Sequence, residues 1–251
     1  MGKVVKDRQL RASFRRSALF LTVAGIASGC APFSATPPFH FAETATVLQP
    51  GEVGVTAAGG VGGMGLGAHG VGLGVRARVG VGGEQEVGVE GTVIHVEDGD
   101  MPTAQMPWQG ESDAFAGKLS WKIAMARWIA FVLGFGGSHS ATGDAVGGDV
   151  SLIASIPEPW GPFRPFLGVR TGIAVPVGRD SSEAGGITQG ATLGLGTTLA
   201  VADNVDLVGE GGLLSAWSHG YHSTNADASR MTETKSEGGV YVLLGLGLRF
   251  R

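Results

Sequence analysis

The sequence predicts an all-β fold, a closed antiparallel barrel of about ten strands that crosses a membrane, on three observations. The last stretch, 238 to 251, alternates strictly: Val240, Val242, Leu244, Leu246, Leu248 and Phe250 share one face, while Tyr241, Leu243, Gly245, Gly247, Arg249 and Arg251 share the other. Similar runs of about ten residues, the length a tilted membrane strand needs, recur from Gly51 onward. The connections between them alternate between tight and long. Glycine supplies 45 of the 251 residues without a collagen period, and aromatics only 7%, so a conventional soluble core is poorly supplied. Outside a barrel an apolar face meets lipid, and inside it glycine meets a crowded or watery lumen.

Residues 1–29 read as an export signal. Lys3, Lys6, Arg8, Arg11, Arg15 and Arg16 precede an uncharged run from Ser17 to Gly29 that is too short to span a bilayer. These cations mask the acidity of the remainder, because the whole chain still carries a net charge of -4. An acidic body excludes nucleic acid as a partner, since phosphate binding needs a basic surface. A single cysteine rules out an intrachain disulfide and any CxxC site, and no cofactor is expected.

The signal closes on Ala27-Ser28-Gly29-Cys30, which resembles the lipobox of bacterial lipoproteins. That resemblance implies that Cys30 is the diacylated first residue of the mature protein; ordinary cleavage after Gly29 or Ala31 is the alternative. Residues 30–50 hold this attachment site and a Pro-, Ala- and Thr-rich linker without sustained alternation.

The barrel occupies 51–251. Its strands are expected at 52 to 62, 69 to 81, 85 to 96, 114 to 124, 128 to 137, 147 to 156, 163 to 177, 187 to 201, 205 to 217 and 238 to 250. Tight turns fall at Gly82-Gly83-Glu84, Ala126-Arg127, residues 158 to 162 and Ala202-Asp203-Asn204. Longer, polar connections are expected at 63 to 68, 97 to 113, 138 to 146, 178 to 186 and 218 to 237. Short periplasmic turns alternating with long outer loops, together with an even strand count, place both ends in the periplasm. Rings near proposed strand ends, including Trp128, Trp160, Phe163, Phe115, Phe135 and Trp217, fit the two interfacial girdles.

The region 51–251 thus resembles small bacterial outer-membrane β-barrels, and Val242, Leu244, Leu246, Leu248 and Phe250 resemble that family's C-terminal assembly signal. The resemblance implies an outer-membrane address and, as partners, membrane lipid, lipopolysaccharide and the barrel-assembly machinery. It implies no activity.

By alternation the inward charges are Glu52, Arg76, Arg78, Glu86, Glu90, Lys118, Lys122, Asp149, Arg164, Arg170, Asp206, Glu210, Arg249 and Arg251. A turn near Gly83 sets Arg76 opposite Glu90, within reach of an ion pair. Such a set either closes the lumen or lines a narrow pore, and the small residues Gly190, Thr192, Gly194 and Gly196 leave one wall open. His219 and His222 lie in a loop context rather than on a helix face, so no metal site is expected. His95, His139, Ser215 and Asp227 lack a strained nucleophile turn, so the expectation is a structural or narrow-pore envelope barrel without enzymatic activity. A barrel-borne hydrolase and a soluble, lipid-tethered barrel holding an apolar ligand are the alternatives.

Overall fold

A computed structural model describes residues 43–64, 69–97, 112–140, 143–156, 161–177, 188–221 and 232–251. Ten strands, β1 (Val53–Met64), β2 (His69–Gly80), β3 (Gln85–Glu97), β4 (Ser112–Ala126), β5 (Ile129–Ser140), β6 (Gly143–Ser155), β7 (Phe163–Val177), β8 (Thr188–Ala202), β9 (Val205–Tyr221) and β10 (Thr232–Phe250), follow one another around the ring. Each pairs antiparallel with its chain neighbours, and β1 with β10 closes the barrel without an edge.

The tight turns fix the register. Gly82, Gly83 and Glu84 carry φ of 94°, 61° and 60°, a left-handed run that two glycines make accessible and that turns β2 back onto β3. Arg76 consequently stands opposite Glu90. At the same end of the barrel, the register slips by one residue at Ala124/Ala126 and at Ala200/Ala202, next to the β4–β5 and β8–β9 turns.

At the opposite end several strands run further than their hydrophobic alternation indicates. β9 and β10 pair as far as Tyr221↔Thr232, where the connection 218 to 237 was expected to be loop. Likewise β5 and β6 pair up to Ser140↔Gly143, so the expected long connection at 138 to 146 is mostly hairpin. Polar residues hid both extensions. The period-2 signal fades when both faces become polar, yet ladder pairing still satisfies the backbone groups.

The two faces separate as the alternation requires. Outward stand Leu73, Val89, Leu119, Phe135, Leu195, Leu213 and Leu244, all among the most exposed large apolar side chains. Inward, Ala58, Ala130, Val132, Ile153, Phe166, Val208, Leu214, Tyr241 and Leu243 form an apolar cluster beside the interior charges. This filling differs from the expected open wall at β8. Phe166 stands opposite Gly196 and Tyr241 opposite Gly212, and a Cβ on Gly196 would lie 2.3 Å from Cζ of Phe166. The glycines leave the room that the rings fill. Gly196→Val is therefore expected to overpack the interior and cost about 1–3 kcal/mol, read as a lower urea midpoint in lipid vesicles.

Candidate functional site: a charged lumen with a resident segment

Glu52, Arg76, Glu86, Glu90, Lys118, Lys122, Asp149, Arg170 and Glu210 are buried, and Arg78, Arg164, Asp206 and Arg249 are half-buried. Arg251 is different. The last pairing is Phe250 with Val53, so Arg251 lies past the ladder, exposed, and does not line the interior.

Most of these groups join one network. Arg76 donates from Nε to Oε2 of Glu90 at 2.9 Å, and its Nη2 lies 2.8 Å from the same oxygen. Lys118 Nζ lies 3.6 Å from that oxygen and 3.5 Å from Oδ2 of Asp149. Arg170 Nη2 donates to the same Asp149 oxygen. The series runs from β2 through β3, β4 and β6 to β7, and β2 and β7 are opposite members of the ten-strand ring. It passes over β5 at glycine. A Cβ on Gly134 would lie 2.6 Å from Oδ1 of Asp149, so only a bare backbone there admits the carboxylate. Elsewhere Tyr241 donates its hydroxyl to Glu210 at 2.5 Å, and Arg249 Nε lies 3.2 Å from Asp206 Oδ2. A charge buried this deeply needs partners, since a desolvated unpaired ion is costly.

The network has a member that alternation does not reveal. Residues 43–50, the end of the expected linker, run inside the barrel near the tight-turn end. Glu43 Oε1 lies 3.0 Å from Arg76 Nη1; its Oε2 lies 2.7 Å from Arg78 Nη1 and 2.9 Å from Lys122 Nζ. Lys122 also donates to the carbonyls of Thr44 at 2.8 Å and Thr46 at 2.9 Å. Further along, Glu86 accepts from Leu48 N, and Glu52 from Gln49 N, each at 2.9 Å. Burial pushes the Glu43 carboxyl up, but the charges of Lys122, Arg78 and Arg76 outweigh this and hold it well below the ordinary carboxylate range. Its contribution to stability is thus fully present above the ordinary carboxylate pKa and disappears only as pH falls towards the depressed value. The sequence signal for this placement was a lone acid in an apolar, Thr-rich stretch.

Cys30, Trp160, His222 and Asp227 lie outside the described residues. The C-terminal series Val242, Leu244, Leu246, Leu248 and Phe250 occupies the outward face of β10. His95 pairs with Asp113 at 2.8 Å across β3 and β4, and His139 with Asp144 at 2.6 Å across β5 and β6. Ser215 is on β9, which adjoins neither β3 nor β5, so His95, His139 and Ser215 are not brought together.

No protein-family model matches the chain, and no curated protein matches it in sequence. Among solved structures it is similar to Neisserial surface protein A at 15% identity, covering 79% of this chain and 96% of that one with a TM-score of 0.37. It is similar to the outer membrane protease OmpT from Escherichia coli at 11% identity, covering 82% and 100% with a TM-score of 0.41. Similarity to the translocator domain of the autotransporter NalP from Neisseria meningitidis is 11% in identity, covering 97% and 98% with a TM-score of 0.37. At these identities and scores, what those proteins do does not carry over to this chain.

Proposed function

We propose that this chain is an integral β-barrel of the bacterial outer membrane whose lumen is closed at rest, with a structural or narrow-pore role in the envelope. One observation carries the reading: every strand of the closed ring presents large apolar side chains outward, while the buried charges turn inward. Water would penalise a belt of that extent, since soluble monomers rarely expose contiguous apolar patches beyond a few hundred Å². On β4 the outward stretch from Phe115 to Met125 rises about 25 Å at ~3.3 Å per residue and a tilt of ~40°, the height of an outer-membrane apolar band. Among the described residues, the outward ionisable pairs His95–Asp113 and His139–Asp144 come at the end with the longer connections. An apolar exterior around an ionic interior is the reverse of what a soluble barrel holding an apolar ligand requires.

The narrow-pore part of the reading draws on the interior ion pairs, which bridge half of the ring from β2 to β7. Refolding tests the whole. The protein is expected to fold into lipid vesicles with a heat-modifiable shift on gels and to resist extraction by alkaline carbonate; recovery as a soluble monomer without detergent overturns the proposal.

The address and orientation belong to the same proposal: export through 1–29, a diacyl anchor on Cys30, short turns and both ends in the periplasm, and contact with lipopolysaccharide and the assembly machinery. Cys30→Ala is expected to abolish labelling by a fatty-acid analogue while leaving barrel insertion intact, because the apolar belt holds the barrel in the bilayer without the anchor. Labelling of neither wild type nor variant counts against acylation.

A further inference from the structure

We propose that Arg76, Arg78 and Lys122 form a carboxylate-binding site on the inner wall, filled at rest by Glu43 of the chain's own N-terminal segment and open to a small carboxylate anion when that segment is displaced.

The site is shaped for two oxygens. Arg76 takes Oε1, while Arg78 and Lys122 share Oε2, so each carboxylate oxygen meets a cation from the wall. All four side chains are nearly shut off from solvent: Lys122 retains 2% of its side-chain exposure, Arg76 6%, Glu43 7% and Arg78 14%. Glu86 and Glu90, on the intervening β3, also bond these cations but leave the central position to Glu43: Lys122 lies 3.7 Å from Glu86, against 2.9 Å from Glu43.

The wall is also built to receive the backbone that carries Glu43. A Cβ on Gly80 would lie 2.1 Å from the carbonyl oxygen of Gln49 and 2.6 Å from that of Leu48, so any other residue at this position pushes the segment away. One on Gly54 would lie 3.2 Å from Leu48 Cδ1. Ala45 is fully buried within the apolar cluster, and its N–H donates to Ser155 Oγ at 2.5 Å. Yet the segment joins no ladder beyond one bridge, Pro50 with Gly80. It is held by hydrogen bonds to its backbone, by the buried Ala45 and Leu48, and by the Glu43 carboxylate, and it is the carboxylate that a competing anion replaces in kind. With Glu43 withdrawn, the three cations are left with the two carboxylates of Glu86 and Glu90, and the one uncompensated positive charge facing the vacated position favours an anion.

Chemical rescue tests this on the full chain. Glu43→Ala removes the carboxylate and leaves space for formate. In detergent micelles the variant is expected to unfold at lower urea than wild type, and formate is expected to restore most of the loss, whereas chloride and sulfate at matched ionic strength restore little. Wild type is expected to respond to none of them. In planar bilayers Glu43→Ala is expected to pass a several-fold larger, anion-preferring current that formate reduces. Gly80→Ala, which dislodges the segment without touching a charge, is expected to give a raised current with the same formate sensitivity. A Glu43→Ala protein with the wild-type midpoint and current, or with equal responses to formate and sulfate, overturns the proposal; should that variant not fold, a formate-insensitive Gly80→Ala does so. This inference rests on the envelope-barrel reading only for the meaning of the current: failure of every form to enter bilayers sinks that reading, while the micelle titration still decides the site.

Discussion

Leu119→Arg is expected to cost about 2–4 kcal/mol of folding stability in lipid, because it sets a guanidinium at the middle of the outward stretch of β4. Leu119 is 63% exposed, so the loss cannot come from a cavity in a packed core. It comes from placing a charge where hydrocarbon, rather than water, covers the wall. In a soluble barrel the same substitution would replace an exposed leucine by an exposed arginine, with an effect within about 0.5 kcal/mol. Urea unfolding in vesicles separates the two cases. An unchanged midpoint would mean that no lipid touches this face, and the membrane assignment would fall with it.

The wall of the barrel was legible because two simple signals agree along it. Period-2 alternation marks the strands, so β7 begins at Phe163 and ends at Val177 as the sequence indicates, and Gly82-Gly83 and Asp203-Asn204 mark the tight reversals after β2 and β8. The Arg76–Glu90 pair followed from the same turn, since a two-glycine reversal leaves little freedom of register. The interior was harder to read, for a physical reason. Alternation tells which way a side chain points but not what fills the space it points into. Phe166 and Tyr241 share the inward parity of the charges, and their fit depends on Gly196 and Gly212, each a strand away and many residues distant in sequence. Residues 43–50 were harder still. They carry no period, and their position is set by Lys122 and Gly80, partners visible only after the barrel has closed.

Asp149→Asn is expected to be the most damaging single change inside the barrel, with a cost of about 3–5 kcal/mol, the range for removing one partner of a buried ion pair. Asp149 sits between Lys118 and Arg170, with 1% of its side chain exposed. The amide removes the negative charge that Lys118 and Arg170 share and presents an N–H₂ group where donors already converge. Gly134 supplies no side chain that could swing in to accept from them. Arg170→Met in the same background removes one of the two cations that Asp149 joined and replaces it with an apolar chain of similar length, so the double variant is expected to recover a large part of the loss. Comparing urea midpoints in vesicles for the two single variants and the double isolates the coupling. A coupling indistinguishable from zero would mean that Asp149 and Arg170 do not share the lumen as the strand register places them. The series from β2 to β7 would then break at its last link, and the ionic closure of the lumen would have to rest on the Arg76–Glu90 half alone.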